Sequence, residues 1–153
     1  MSKAFVKNLE DAVDELPDRP ISPHPNLVTA EGFARIEAEV VRLQQEHAAA
    51  HAANDRAALA RAARDLRYWT ARRASAQLVP APSDRGKVHF GATVTIVRDD
   101  GRRQTFHIVG EDEADPAHGT LSHVSPLACA LFGKQVGDTV EVAKSRAEIV
   151  EIA

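Results

Sequence analysis

Apolar residues recur after Val28 at Phe33, Ile36, Val40 and Leu43. Steps of three, four and three place them on one narrow stripe of a helix. Thr29 stands before this run as an N-cap, and Glu31 puts a carboxylate in the first turn, where the helix dipole favours it. The run passes into the Ala-rich stretch from His47 to Ala53 and is broken by Asn54 and Asp55, residue types that cap a new helix. A second stripe follows at Leu59, Ala62, Leu66, Trp69, Arg73 and Ala76. Two such stripes with a short polar join predict an antiparallel helical hairpin, a coiled coil with arms of about 23 residues, or roughly 35 Å. Pro80 and Pro82 end the second arm.

Beyond Pro82 the period falls from 3.6 to 2. Thr93–Val97 is a run of β-formers, Asp99-Asp100-Gly101 is a hairpin turn, and Gln104–Val109 returns. A loop from Gly110 to Gly119 leads to a strand at Leu121–Val124. Pro126 opens a short helix, Leu127–Phe132, with Gly133 just past its end. Gly137-Asp138 turns into Thr139–Val142, and Ala147–Ile152 closes the sheet. The fold class is α+β. Residues 1–27 form an extended or disordered arm, 28–79 the helical hairpin, 80–85 a linker and 86–153 the α+β domain. The arm holds Pro17, Pro20, Pro23 and Pro25 among many acids and reads as a solvated tail. The alternative is docking through Phe5, Val6 and Leu9.

Composition sharpens the picture only where charge is uneven. The net charge of −3 gives no argument for general nucleic-acid binding. Residues 54–77, however, carry six basic and two acidic side chains, while every other segment is acidic. Arg56, Arg61, Arg64, Arg67, Arg72 and Arg73 are therefore candidates for a basic stripe near RNA or DNA. The competing reading pairs them with Glu37, Glu39 and Glu46. One cysteine, Cys129, excludes an intrachain disulfide and suits a reducing compartment. No apolar run reaches the length of about 18 residues that a membrane span needs, and the expected location is cytoplasmic.

Several ordered motifs resemble the GreA/GreB family of bacterial transcription elongation factors. Val28-Thr29-Ala30-Glu31-Gly32-Phe33 resembles its "LTPEG" helix start, and Arg67-Tyr68-Trp69-Thr70-Ala71-Arg72-Arg73 the end of its second coiled-coil helix, most like GreB. Phe90–Thr95 resembles the opening strand of its C-terminal domain, and Ile108–Asp115 its central loop. Ser125-Pro126-Leu127-Ala128-Cys129-Ala130-Leu131 with Gly133-Lys134-Gln135-Val136-Gly137-Asp138 resembles its "SP-x-A-x-AL…GK-x-x-GD" signature. The resemblance covers about residues 27–153. It implies a coiled coil entering the RNA polymerase secondary channel and an FKBP-like domain docking on the channel rim. It also implies a factor that is not itself an enzyme and binds no cofactor. In true Gre factors two tip carboxylates help hold a catalytic Mg²⁺ in the polymerase, which then cleaves its own backtracked RNA.

The chain departs from the family at that tip. "LGD-x-x-ENA-x-Y" is replaced by Ala48-Ala49-Ala50-His51-Ala52-Ala53-Asn54-Asp55, and the hairpin is shorter. The expected function is a monomeric regulator of elongation that binds polymerase through His123, Val124, Ser125 and Pro126 and does not stimulate cleavage. Its tip is His51, Asn54 and Asp55, and Arg56, Arg61, Arg64 and Arg67 are the arginines that would face nucleic acid. The alternatives are a genuine cleavage factor using Asp55, a dimerisation module, and a peptidyl-prolyl isomerase, which needs an aromatic-lined apolar pocket where the C-terminal half offers only Phe90, Phe106 and Phe132 and no Tyr or Trp. His47 and His51 share a helix face as metal ligands do, but no third ligand is evident. Glu111, Asp112, Glu113 and Asp115 have the look of a Ca²⁺ loop, and the resemblance makes them a solvated acidic loop. Trp69 and Cys129 read as core residues.

Overall fold

The computed structural model describes residues 15–153. Phe5, Val6 and Leu9 of the arm lie outside them. Contacts divide the chain into two compact units: residues up to Pro23 with Ala34–Ser75, and His24–Phe33 with Ala76–Ala153.

The first unit is the helical hairpin. Helix α1 spans Ala30–Ala52 and α2 spans Arg56–Ser75. Ile36, Val40, Leu43 and Ala50 are buried on α1, while α2 buries only Ala62 and Arg72. Asn54 takes the left-handed conformation at φ 52°, which Asn tolerates better than most residues, and so reverses the chain. Asp55 then caps α2, its Oδ1 accepting from the Ala58 amide at 3.1 Å. Trp69 is half-buried and meets Tyr68 edge-on, with centroids 5.1 Å apart.

The solvated-tail reading of the arm fails for residues 16–19. Arg19 lies 4.0 Å over the Tyr68 ring and 3.4 Å from Asp65, and Asp18 and the Leu16 carbonyl both accept from Arg67. The two rings side by side on α2 offer a platform for a guanidinium. Composition alone carries no trace of such a contact.

The second unit holds two sheets. Strand β1 (Leu27–Val28) pairs in parallel with β2 (Gln77–Leu78), tied by Gln77 N–H to Asn26 O at 2.8 Å and Val79 N–H to Val28 O at 2.9 Å. The larger sheet comprises β3 (Thr93–Arg98), β4 (Arg103–Val109), β5 (Thr120–Ser122), β6 (Thr139–Val142) and β7 (Ser145–Ile152), in the order β5-β4-β3-β7-β6. All pairs are antiparallel except β4 with β5. Helix α3 (Pro126–Leu131) supplies Ala128 and Leu131 to a core that also holds Val94, Ile96, Ile108, Ile149 and Val88.

Three local expectations change. The strand expected at Leu121–Val124 ends at Ser122, leaving His123 and Val124 in the turn before α3. The last strand starts at Ser145, because Ala143 and Lys144 both adopt positive φ, 52° and 64°, in a tight hairpin turn. Cys129 is exposed, not buried. On a helix that aims positions 128 and 131 at the core, position 129 is rotated away by about 100°. Cys129 should therefore react with a thiol reagent in the native chain at close to the rate seen in denaturant. Protection by orders of magnitude would return it to the core.

Candidate functional site

The hairpin tip carries one carboxylate. Ala53, Asn54 and Asp55 close the turn through backbone bonds from Asn54 N–H to His51 O at 3.2 Å and Asp55 N–H to Ala50 O at 3.0 Å. His51 and Asn54 are exposed beside it. Asp55 is committed to the α2 cap. Glu46, the acid of α1 nearest the tip in sequence, is bonded to Arg42 one turn back along its own helix. His47, the other half of the histidine pair, lines a cleft with Arg56 and Arg67. Among the described residues no group of three or more His, Cys, Asp or Glu could hold a metal ion.

The arginines do not form one stripe. Arg56 and Arg67 line the cleft with His47, whereas Arg61 lines a separate one with Arg42 and Asp65. At about 100° per residue, positions eleven apart align and positions five apart do not. Arg72 is only 2% exposed and does not lie on an open face. Arg64 donates to Asp65 at 3.1 Å and Arg67 to Asp18 at 2.5 Å. Glu39 and Glu46 are both bonded to Arg42 on α1. The hydrogen bond from Arg42 is what chiefly holds Glu39 below the usual carboxylate range.

The loop before α3 is built by short-range bonds. His123 N–H donates to Val109 O at 3.0 Å, and Ser125 N–H to Ser122 O at 3.0 Å. The Ser125 hydroxyl then caps α3 by accepting from Ala128 N–H at 3.3 Å, with Pro126 at the first helical position. The result leaves Pro126 exposed and Val124 and Ser125 partly exposed. His123 is different: it is 8% exposed, and its ring meets Phe90 edge-on at 5.5 Å. It acts as a wall of the loop and does not offer its ring to a partner.

The acidic loop is structural. Residues 111–113 and 116–118 form single 3₁₀ turns. Glu113 accepts from Thr29 N–H at 3.1 Å, from the Thr29 hydroxyl and from Gly110 N–H at 3.0 Å, and Asp115 binds His118 at 2.5 Å. The Thr29–Glu113 contact joins residues 84 apart and has no local signal in the sequence. A 550 Å³ cleft in the same unit is lined by residues including Leu78, Val79, Pro80 and His107, with none of the three phenylalanines. Phe106 and Phe132 pack against the core instead.

The family described as "Transcription elongation factor, GreA/GreB, C-term" matches residues 82–153. A transcription elongation factor GreA of Desulfovibrio desulfuricans is 36% identical over 140 residues, covering 90% of this chain and 83% of that protein. One from Agrobacterium fabrum is also 36% identical over 140 residues, covering 90% and 82%. A solved GreA/GreB factor from Nitrosomonas europaea is 21% identical, covers 84% of this chain and 98% of that one, and superposes with a TM-score of 0.42.

The relatives that match at 36% identity over 90% of this chain are transcription elongation factors. The chain belongs to the GreA/GreB family. That membership stands against the expectation that it is not an enzyme, its relatives being named transcription elongation factor GreA. No helix among the described residues is long and apolar enough to cross a membrane.

Proposed function

We propose that this elongation factor binds bacterial RNA polymerase at the rim of the secondary channel, directs its hairpin into that channel, and modulates elongation without stimulating transcript cleavage through its tip. The observation that carries this reading is the tip itself, where Asp55 is the one carboxylate and its oxygen is engaged as a helix cap. A Mg²⁺ ion held by carboxylates requires oxygens placed within about 0.2 Å at about 2.1 Å. A single capping Asp on a shortened hairpin does not meet that demand.

The test is RNA cleavage in a stalled, backtracked complex. The wild-type chain is expected to leave cleavage at the intrinsic rate and, in excess, to inhibit a cleavage-competent Gre factor by mass action. Asp55→Ala should cost about 1 kcal/mol through loss of the cap and change nothing in the cleavage assay. Robust cleavage by the wild type that vanishes in Asp55→Ala would sink the reading and make Asp55 a working tip acid.

The docking surface proposed is Val124, Ser125 and Pro126, with His123 as its support. Val124 and Pro126 reach the surface while the loop behind them is fixed by backbone bonds, which is the preorganised form that favours binding. Val124→Arg should weaken capture of core polymerase by the full chain about tenfold or more, or about 1.4 kcal/mol, with its melting temperature little changed. Undiminished capture would move the docking surface elsewhere.

A further inference from the structure

Residues 16–19 lie on α2 without forming a helix or strand, and they engage groups that face outward. The Arg67 guanidinium donates from Nε to Asp18 Oδ1 at 2.5 Å and from Nη2 to the Leu16 carbonyl at 3.1 Å. Two oxygens thus occupy the fork, the arrangement a guanidinium also offers to a phosphate. Next to it, the Arg19 guanidinium lies 4.0 Å over the Tyr68 ring, where a nucleic-acid base would stack. Arg19 also reaches Asp65 at 3.4 Å, a carboxylate that Arg64 already holds at 3.1 Å. Leu16 and Arg67, with His47 and Arg56, line a cleft of about 370 Å³ beside these contacts.

Every one of these contacts is of an exchangeable kind. The side chains of Asp18 and Arg67 are 75% and 43% exposed, and ion pairs so exposed are weak and screened by salt. No helix or strand is present from residue 15 until Leu27, so no ladder fixes the segment in place. The arm brings a single carboxylate to Arg67. A polynucleotide brings a row of phosphates, together with bases for the aromatic face, and gains from counterion release.

We propose that residues 16–19 are a displaceable cover over a binding face for single-stranded nucleic acid on α2, centred on Arg67 and Tyr68, and that the arm and the nucleic acid compete for it. The cover mimics its competitor: Asp18 and the Leu16 carbonyl stand for phosphate oxygens, and the Arg19 guanidinium stands for a stacked base. The proposal concerns the isolated chain and does not depend on where the protein docks on polymerase.

The test uses the full chain and a short fluorescein-labelled single-stranded RNA, followed by fluorescence anisotropy across a salt series. The paired substitution Asp18→Asn with Arg19→Gln removes one negative and one positive charge, so net charge is unaltered. It is expected to tighten RNA binding about tenfold at low salt and to steepen the salt dependence by about one phosphate contact. Adding Arg67→Gln should erase that gain. No tightening, or a gain that survives Arg67→Gln, overturns the proposal. A second measurement needs no variant: in the wild-type chain, the Arg67 Nε–H resonance and the backbone resonances of residues 16–19 should shift together as RNA is added. Saturation with RNA that leaves both unmoved overturns it equally.

Discussion

Leu131→Ala is expected to lower the unfolding free energy of the sheet unit by about 3 kcal/mol, within the range of about 2–5 for truncating a buried leucine. Leu131 is fully buried, and so is Ala128 one turn before it. Helix α3 has six residues, Pro126–Leu131, far too few to be helical alone. Its existence rests on the Ser125 cap at one end and on these two inward positions. At the other end, Gly133 N–H donates to Val88 O and Val88 N–H to Lys134 O, both at 2.9 Å, which staples the helix exit to the core. The substitution therefore removes the anchor that also orients Val124–Pro126. Capture of polymerase by this variant should fall along with its stability, whereas Cys129→Ala, on the exposed face, should move stability by no more than about 0.5 kcal/mol. Urea unfolding of the two variants side by side gives the comparison. A loss below about 1 kcal/mol for Leu131→Ala would mean that α3 is not held by its core face.

The hairpin was legible because helical period is a strong signal over twenty residues: Ile36, Val40 and Leu43 are buried as their spacing requires. Asp55 as a cap was legible for the same local reason. At the far end of α2 the stripe through Ala62 and Trp69 passes between positions 72 and 73, both Arg. Residue type gave no way to choose, and the structure buries Arg72. Strands β1 and β2 have two residues each, too few to show a period. The turn at Ala143 and Lys144 has none of the Gly or Asn that normally mark positive φ. Of the candidate site, the motif around Ser125 and Pro126 was legible as a cap and first helical residue. The burial of His123 was not, since it depends on Phe90 lying 33 residues earlier in the chain. The arm contacts were hidden for a similar reason, because Arg19 finds Tyr68 across a long sequence separation and neither residue belongs to a periodic pattern.

Gly32→Ala should be destabilising in the wild-type chain and neutral or stabilising once Glu113→Ala is also present. The Glu113 carboxylate accepts from Thr29 N–H at 3.1 Å, from the Thr29 hydroxyl and from Gly110 N–H at 3.0 Å. It thereby ties the first turn of α1, which belongs to the sheet unit, to the loop after β4. Glu113→Ala leaves two backbone donors without that acceptor, and Gly110 is buried. At about 1–3 kcal/mol for each unsatisfied buried group, a loss of about 3 kcal/mol is expected. Gly32 sits directly beneath the same carboxyl group. A Cβ there would lie 2.0 Å from Glu113 Cδ and 2.3 and 2.4 Å from its oxygens. The Glu113 side chain is flexible and can swing aside, but only by giving up the bonds it makes, so Gly32→Ala should cost about 2 kcal/mol despite the helix preference of Ala over Gly. With the carboxylate already gone the clash disappears, and that preference, at most about 1 kcal/mol, is what remains. The double-mutant cycle should then show a coupling of about 2–3 kcal/mol between the two positions. Measured by chemical unfolding of the four chains, an equal effect of Gly32→Ala in both backgrounds would show that the glycine is there for some reason other than the carboxylate above it.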